Sequence, residues 1–311
     1  MGKSVLRRLA TILGYALYGT GVLMLGVWLL FPAETVRRAL EERLGRTWPD
    51  LQWRVEGAAL ELPLKLTVRA IKGYEVRETE APLVRLERLT VQPDLLASAL
   101  SRAVQTDYRL EIGKGSISGM ARWRGGQDGG RIEGMIREIN LSSIPWMSRR
   151  LGRSLQGAVS GTFTANLQPA SSPETTLEAR LDLTNGRVGL QRPILGRREL
   201  PFSKVSARVS VQGWVFELAQ GEIASPLFDG RFAGRVALRP DPGQGQIEVQ
   251  GVVDLKDNFF KGLDNTVNLQ AFRLQLKDKP LSFSIMGDLA GPGIHYGEHA
   301  MLVQTLEQEL R

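Results

Sequence analysis

Val159-Ser-Gly-Thr-Phe-Thr-Ala-Asn-Leu167 decides the fold class. Val159, Gly161, Phe163, Ala165 and Leu167 alternate with Ser160, Thr162, Thr164 and Asn166, the period of two that belongs to a strand with one apolar and one wet face. The same grammar recurs on both sides of it. Leu177, Ala179, Leu181 and Leu183 alternate with Glu178, Arg180 and Asp182, and Val205, Ala207, Val209 and Val211 with Ser206, Arg208 and Ser210. Further on, Ile247, Val249, Gly251, Val253 and Leu255 oppose Glu248, Gln250 and Asp254, and Leu281, Phe283, Ile285 and Leu289 oppose Ser282, Ser284 and Asp288. Strands with one wet face build antiparallel sheets, and the crossover helices of a parallel α/β fold are missing.

Turn chemistry at Asn185-Gly186, Gly125 to Gly130, Asp229-Gly230 and Pro240 to Gly243 predicts hairpins. Three breaks predict helical or irregular segments: Pro93 to Arg102, Ile144 to Leu155, and His299 to Arg311, where Leu302, Leu306 and Leu310 repeat every four residues. A phase slip between Ala271 and Phe272 reads as a β-bulge. So many amphipathic strands must cover their apolar faces. A sandwich or barrel covers them with the sheet itself, whereas a trough holds something greasy such as lipid acyl chains.

Ahead of the strands, Leu9 to Ala33 carries no charge, and eleven of its residues are Leu, Ile, Val or Phe. A bilayer core of about 30 Å needs about 20 helical residues, so the run predicts one membrane-spanning anchor. It exceeds the apolar region of a cleaved signal and ends in Phe31-Pro32-Ala33 rather than a small-x-small site. Trp28 and Phe31 mark its outer interface, and Ala10, Gly14 and Gly21 fall on one side where a second helix would approach closely. Lys3, Arg7 and Arg8 favour a cytoplasmic N-terminus. Arg37, Arg38, Arg43 and Arg46 flank the other side, so charge counting leaves orientation open.

Residues 34–46 predict an amphipathic helix with Val36, Leu40 and Leu44 on one face, Pro32 in its first turn and Gly45 at its stop. Pairs Glu34/Arg38, Arg37/Glu41 and Arg38/Glu42 fit its spacing. Such a helix lies on the membrane or closes one end of the body, and Trp48, Leu51 and Trp53 favour the second. The expected layout is a cytoplasmic tail (1–8), an anchor (9–33), the amphipathic helix (34–46), a periplasmic β-rich domain (47–290) and a C-terminal tail with a short helix (291–311).

The chain of 311 residues has a net charge of +7 and no cysteine, which excludes disulfides, thiolate metal sites and cysteine nucleophiles. Its basic balance suits anionic headgroups or an acidic protein, and export makes nucleic acid an unsuitable partner. Trp146 with Arg149, Arg150 and Arg153 is the cluster that would touch headgroups or a partner. Gly2-Lys3-Ser4 and Gly113-Lys114-Gly115-Ser116 lack the spacing of a phosphate loop, and Gly115 to Gly119 has Ile117 where a nucleophile elbow needs serine. His295 and His299 are spaced for one helical face, with Glu298 beside them, yet a polar turn before the last helix is the simpler reading. No catalytic residue, metal or cofactor is assigned.

The phrases Ile139-Asn-Leu-Ser-Ser-Ile-Pro-Trp146, Leu155-Gln-Gly-Ala-Val-Ser-Gly161-Thr-Phe163, Leu183-Thr-Asn-Gly-Arg-Val188 and Phe202-Ser-Lys-Val-Ser-Ala-Arg-Val209 resemble AsmA-like envelope proteins. Leu29-Leu-Phe-Pro-Ala-Glu-Thr-Val-Arg-Arg-Ala-Leu-Glu-Glu-Arg-Leu44, with Tyr15, Tyr18 and the length, resembles the type II secretion system protein N family. That resemblance implies a single-pass inner-membrane protein with a periplasmic β-rich domain, a non-enzymatic accessory that tethers this domain to other secretion subunits. The AsmA-like resemblance implies the alternative, lipid binding or transfer in outer-membrane homeostasis.

Overall fold

A computed structural model describes residues 2–62, 64–76, 81–124, 129–167, 175–238, 245–261, 267–277, 279–288 and 291–309; side chains of 2–10, 12, 13, 16, 17, 20, 150, 151, 191, 192, 238, 267 and 309 lie outside the described set. The chain begins with α1 (Gly2–Leu29) and α2 (Ala33–Thr47). Three strands follow, β1 (Leu51–Glu61), β2 (Lys65–Glu75) and β3 (Val84–Pro93), and then α3 (Leu95–Ser101). Next come β4 (Val104–Ile112), β5 (Gly115–Trp123), β6 (Gly130–Asn140) and α4 (Pro145–Leu151). The run β7 (Leu155–Leu167), β8 (Thr176–Ile194), β9 (Arg197–Gln212), β10 (Val215–Ala224), β11 (Phe228–Leu238) and β12 (Gly245–Leu255) is uninterrupted by helix. It leads to α5 (Asp257–Phe260), α6 (Val267–Leu276), β13 (Leu281–Asp288), β14 (Gly293–His295) and α7 (Ala300–Glu309).

The fourteen described strands form one sheet in chain order. Every pairing is antiparallel, as the alternation predicts, and β1 and β14 stand at opposite edges without closing a barrel. Cross-strand partners share a face, so the registers Leu110↔Ile117, Ile117↔Ile136, Gly161↔Leu181, Leu181↔Ala207, Val209↔Leu218 and Val249↔Ile285 carry one apolar face from strand to strand. The opposite face carries ion pairs such as Arg131–Glu133 (2.6 Å), Lys204–Asp182 (3.2 Å) and Arg235–Glu248 (3.0 Å). Such exposed pairs add little stability and keep that face wet.

Left-handed residues interrupt four of the even-numbered strands: Ala70 in β2, Glu138 in β6, Asn185 in β8 and Gln220 in β10. Register shifts accompany Glu138, Asn185 and Gln220, between β6 and β7, between β7 and β8, and around β10, whereas β2 stays in register with both neighbours at Ala70. A bulge bends its strand and increases its twist, so these positions crease the sheet. Two turn assignments from the sequence need correction here. Asn185-Gly186 is no hairpin tip but the mid-strand bulge of β8, because Asn adopts the left-handed conformation as readily in a bulge as in a turn. Asp229-Gly230 lies inside β11, and the reversal falls at Ser225–Leu227, where Ser225 N–H donates to Phe228 O and Ser225 Oγ donates to Pro201 O at 2.6 Å. Of the turn expected at Gly125 to Gly130, residues 125–128 fall outside the described residues and Gly130 opens β6; the turn at Pro240 to Gly243, together with Leu289 and Leu310, also falls outside them.

The strands' connections make two lips. The start of β1 and the links β2–β3, β4–β5, β6–β7, β8–β9, β10–β11 and β12–β13 lie on one, which also carries α2, α4, α5, α6 and α7. The other lip carries α3. The two clusters of mutually packed buried side chains sit at the sheet's two ends, while single buried side chains such as Ile112, Ile139, Phe202 and Phe228 lie along the strands between them. At the β1 end, Val55, Val68 and Ile71 pack with Leu40 and Leu44, so α2 caps the body, as its apolar face predicts. Glu41 also accepts from Val55 N–H at 2.8 Å and so occupies part of the β1 edge. The helix runs through Gly45 to Thr47, correcting its expected stop, and closes with Trp48 N–H on Leu44 O. Arg37 pairs with Glu41 (4.0 Å) as expected, while Glu34 pairs with Arg37 and Glu42 with Arg46.

At the other end, Phe259, Leu269, Phe272, Leu281, Val303 and Leu306 form a cluster with Leu195 from the β8–β9 tip. Here α6 overturns the bulge expected between Ala271 and Phe272. The slip was helical spacing, placing Leu269, Phe272 and Leu276 on the cluster and leaving Leu274 exposed. Helices α3, α4 and α7 occupy the three breaks read from the sequence. Phe272→Ala should cost about 3–5 kcal/mol in denaturant unfolding, whereas Leu274→Ala should change it by less than about 0.5. Tyr296, packed on the same cluster, has its phenol pushed from 10.0 to about 12 by burial and, secondarily, by the Glu307 charge. The unfolded phenol ionises first, so the stability that its burial maintains is full below pH 10 and drains away toward pH 12. Tyr296→Phe should remove about 2 kcal/mol of that alkaline slope, read from melting curves across this window.

Candidate functional site: the uncovered apolar face

Between the two capped ends, the apolar face of β4 through β11 has no buried cluster among the described residues. Leu110, Ile132, Val159, Phe163, Leu181, Val209, Leu218 and Phe232 are all only half-buried there, while Ala165 and Ala179 are buried between larger neighbours. A self-packed sandwich would bury such side chains fully against a second layer. Neighbouring strands stand about 4.8 Å apart, so this band of eight strands extends roughly 35 Å.

Glycines and aromatic rings floor the band. Tyr108, Gly119, Gly134 and Phe163 stand opposite one another on β4, β5, β6 and β7. A side chain at Gly134 would meet the Phe163 ring and the Tyr108 hydroxyl. The rings thus lie over strands that offer no Cβ, and Tyr108 Oη donates to Glu133 O at 3.1 Å. Burial pushes the Tyr108 phenol above its ordinary value. Phe232 over Gly221 and Phe283 over Gly251 repeat the arrangement further along. Laid flat, the rings leave a smooth apolar floor instead of a packed core.

Around this face, the residues singled out in the sequence fall as follows. Leu9 and Ala10 lie in α1 with side chains outside the described set. Gly14 and Gly21 have nothing within 4 Å of where a Cβ would stand. Trp28 is exposed at the end of α1, Phe31 is half-buried in the link, and Ala33 opens α2. Among the described residues no helix is long and apolar enough to cross a membrane. On the helix-rich lip, Trp146 is exposed and its N–H donates to Leu83 O at 3.1 Å, while Arg149 pairs with Glu75 at 3.0 Å and fastens α4 to β2. Arg153 is half-buried, and the Arg150 side chain lies outside the described residues.

His295 and His299 do not share a helical face. The first is exposed on β14 and the second is buried in a 3₁₀ turn, edge-on to Phe272 at 6.4 Å. Among the described residues no group of three His, Asp or Glu is placed to hold a metal. Gly113 and Lys114 form the β4–β5 turn, and Ser116 to Gly119 run as strand. Compared with family models, curated proteins and solved structures, the chain matches none. Alternation made the apolar face visible in the sequence. The ring-over-glycine rows depend on register, which no local pattern reveals. Gly134→Val should lower the melting temperature by several degrees through displacement of Tyr108 and Phe163, with a matching change in near-ultraviolet circular dichroism.

Proposed function

We propose that this chain is a non-enzymatic envelope protein, anchored by α1 in the bacterial inner membrane, whose creased sheet holds lipid acyl chains along its uncovered apolar face. The carrying observation is the half-buried apolar band of β4 to β11, left without a buried cluster between two helix-capped ends. Acyl chains match such a lining because burial is rewarded in proportion to apolar area and asks for no directional partner. For the anchor, the support is the uncharged run from Leu9 to Ala33, along with the exposure of its described large side chains, Leu30 reaching 80%. The N-terminus is then cytoplasmic and the sheet periplasmic, the AsmA-like arrangement with which the strand phrases agree.

A second reading, the type II secretion accessory that tethers its β-rich body to other subunits, is favoured by the Leu29–Leu44 resemblance and by α2, which follows α1 in the chain and packs on β1 and β2. Strand addition suits it poorly, since Glu41 engages the β1 edge and β14 has three residues. Contacts through lips and faces suit it better.

A photocrosslinking residue placed at Leu181, on the apolar face, distinguishes the two in cells. Phosphate-labelled lipid adducts should form there and drop at least tenfold when the probe moves to Arg180, one residue along on the wet face. Adducts to protein alone at Leu181 would overturn lipid holding and leave the secretion reading.

A further inference from the structure

Between β3 and β4 the chain passes over the lip that carries no other helix among the described residues. Its crossing, α3, reads Leu-Leu-Ala-Ser-Ala-Leu-Ser, and not one of these residues is buried. Leu95, Leu96 and Leu100 are 51%, 79% and 88% exposed. Polar groups hold the helix in this inverted posture. Asp94 Oδ1 accepts from Ala97 N–H at 2.9 Å, and Ser98 Oγ accepts from Gln105 N–H at 2.8 Å. Ser101 Oγ donates to Ala97 O at 2.6 Å, and the side-chain amide of buried Gln105 lies against Ser101 Oγ at 3.1 Å. The serines face the protein and the leucines face away, the reverse of what water rewards.

The same rim extends the pattern. Val104 stands opposite Trp123, both exposed, and Leu62 projects at the β1–β2 tip. Arg102, Arg122 and Arg124 are exposed beside them. Among the described residues the nearby acids are occupied or set back: Glu61 pairs with Lys65 at 3.1 Å, Asp94 caps α3, and Asp107 lies further along β4. Leucine tips, an amphipathic indole and a collar of guanidinium groups together match the layering of an anionic bilayer surface.

We infer that this rim docks on an anionic membrane surface, with Leu95, Leu96, Leu100 and Trp123 in the interfacial layer and Arg102 and Arg124 against lipid phosphates. The inference rests on the anchored reading above, which keeps a bilayer within reach of the body. It places the α3 rim of the sheet against lipid.

The absence of cysteine allows a clean test on the full chain. Leu96→Cys, Leu23→Cys and Thr162→Cys are each labelled with an environment-sensitive fluorophore and reconstituted into phosphatidylethanolamine vesicles with one quarter phosphatidylglycerol. Spin-labelled lipid should quench the labels at 96 and 23 several-fold more than the label at 162. Adding Arg102→Glu and Arg124→Glu should at least halve the quenching at 96 without altering that at 23. Quenching at 23 with position 96 resembling 162 overturns the docking rim and leaves the anchor standing. Blue-shifted emission at 96 without lipid quenching means a protein cover and overturns the rim equally. No quenching at 23 overturns the anchor, and the rim with it.

Discussion

Each strand pairs with the strand before it in the chain, in antiparallel register, and residues opposite one another must project to the same side. From this constraint the rest of the molecule follows. One strand's alternation, once joined to the next, assigns a face to every residue in both. Val159 to Leu167 thereby commits Leu177 to Leu183, which commits Val205 to Val211. A single apolar surface accumulates across the sheet, with no second sheet among the described residues to receive it.

A one-residue slip would turn such a strand inside out, yet several strands carry an extra left-handed residue. The sheet keeps its two faces because the interruptions are shared across neighbours. Ala70 lies across from Glu56, and Asn185 from Ser203, in stretches where pairing resumes in unchanged register, so both members of each pair change phase together. The crease costs local regularity and preserves segregation of apolar from charged side chains. Among the described residues, helices then join buried clusters near the edges, α2 through Leu40 and Leu44 and the C-terminal helices through Phe272 and Leu306. Those edges would otherwise expose unpaired backbone as well as greasy side chains.

Much of this was legible in the sequence, because period two survives any error in turn placement. What failed did so for identifiable reasons. Asn185-Gly186 and Asp229-Gly230 have the composition of hairpin tips, but Asn tolerates a bulge equally and glycine gives room to a neighbouring ring, so Phe202 covers Gly186. Residues 267–276 alternate nearly as a strand would, and only the misplaced Phe272 betrayed a helix. The segment after Pro93 was recognisable as a break. Its outward leucines were not, since the hydrogen bonds that turn Ser98 and Ser101 inward depend on Gln105 across the turn. The floor of the apolar band escaped for a similar reason: Tyr108 and Phe163 are separated by most of three strands and meet only through Gly119 and Gly134.

Strict chain-order pairing also bears on how such a molecule assembles and how it changes over evolutionary time. Every new strand docks on the one just completed, so most closures are short, residues 256–280 being the longest link, and growth can proceed from the first residues delivered toward the last. An added or deleted hairpin alters the reach by two strand widths, about 10 Å, and leaves the wiring elsewhere untouched. The architecture is a ruler graduated in hairpins, and its span is set by how many are strung between the terminal caps.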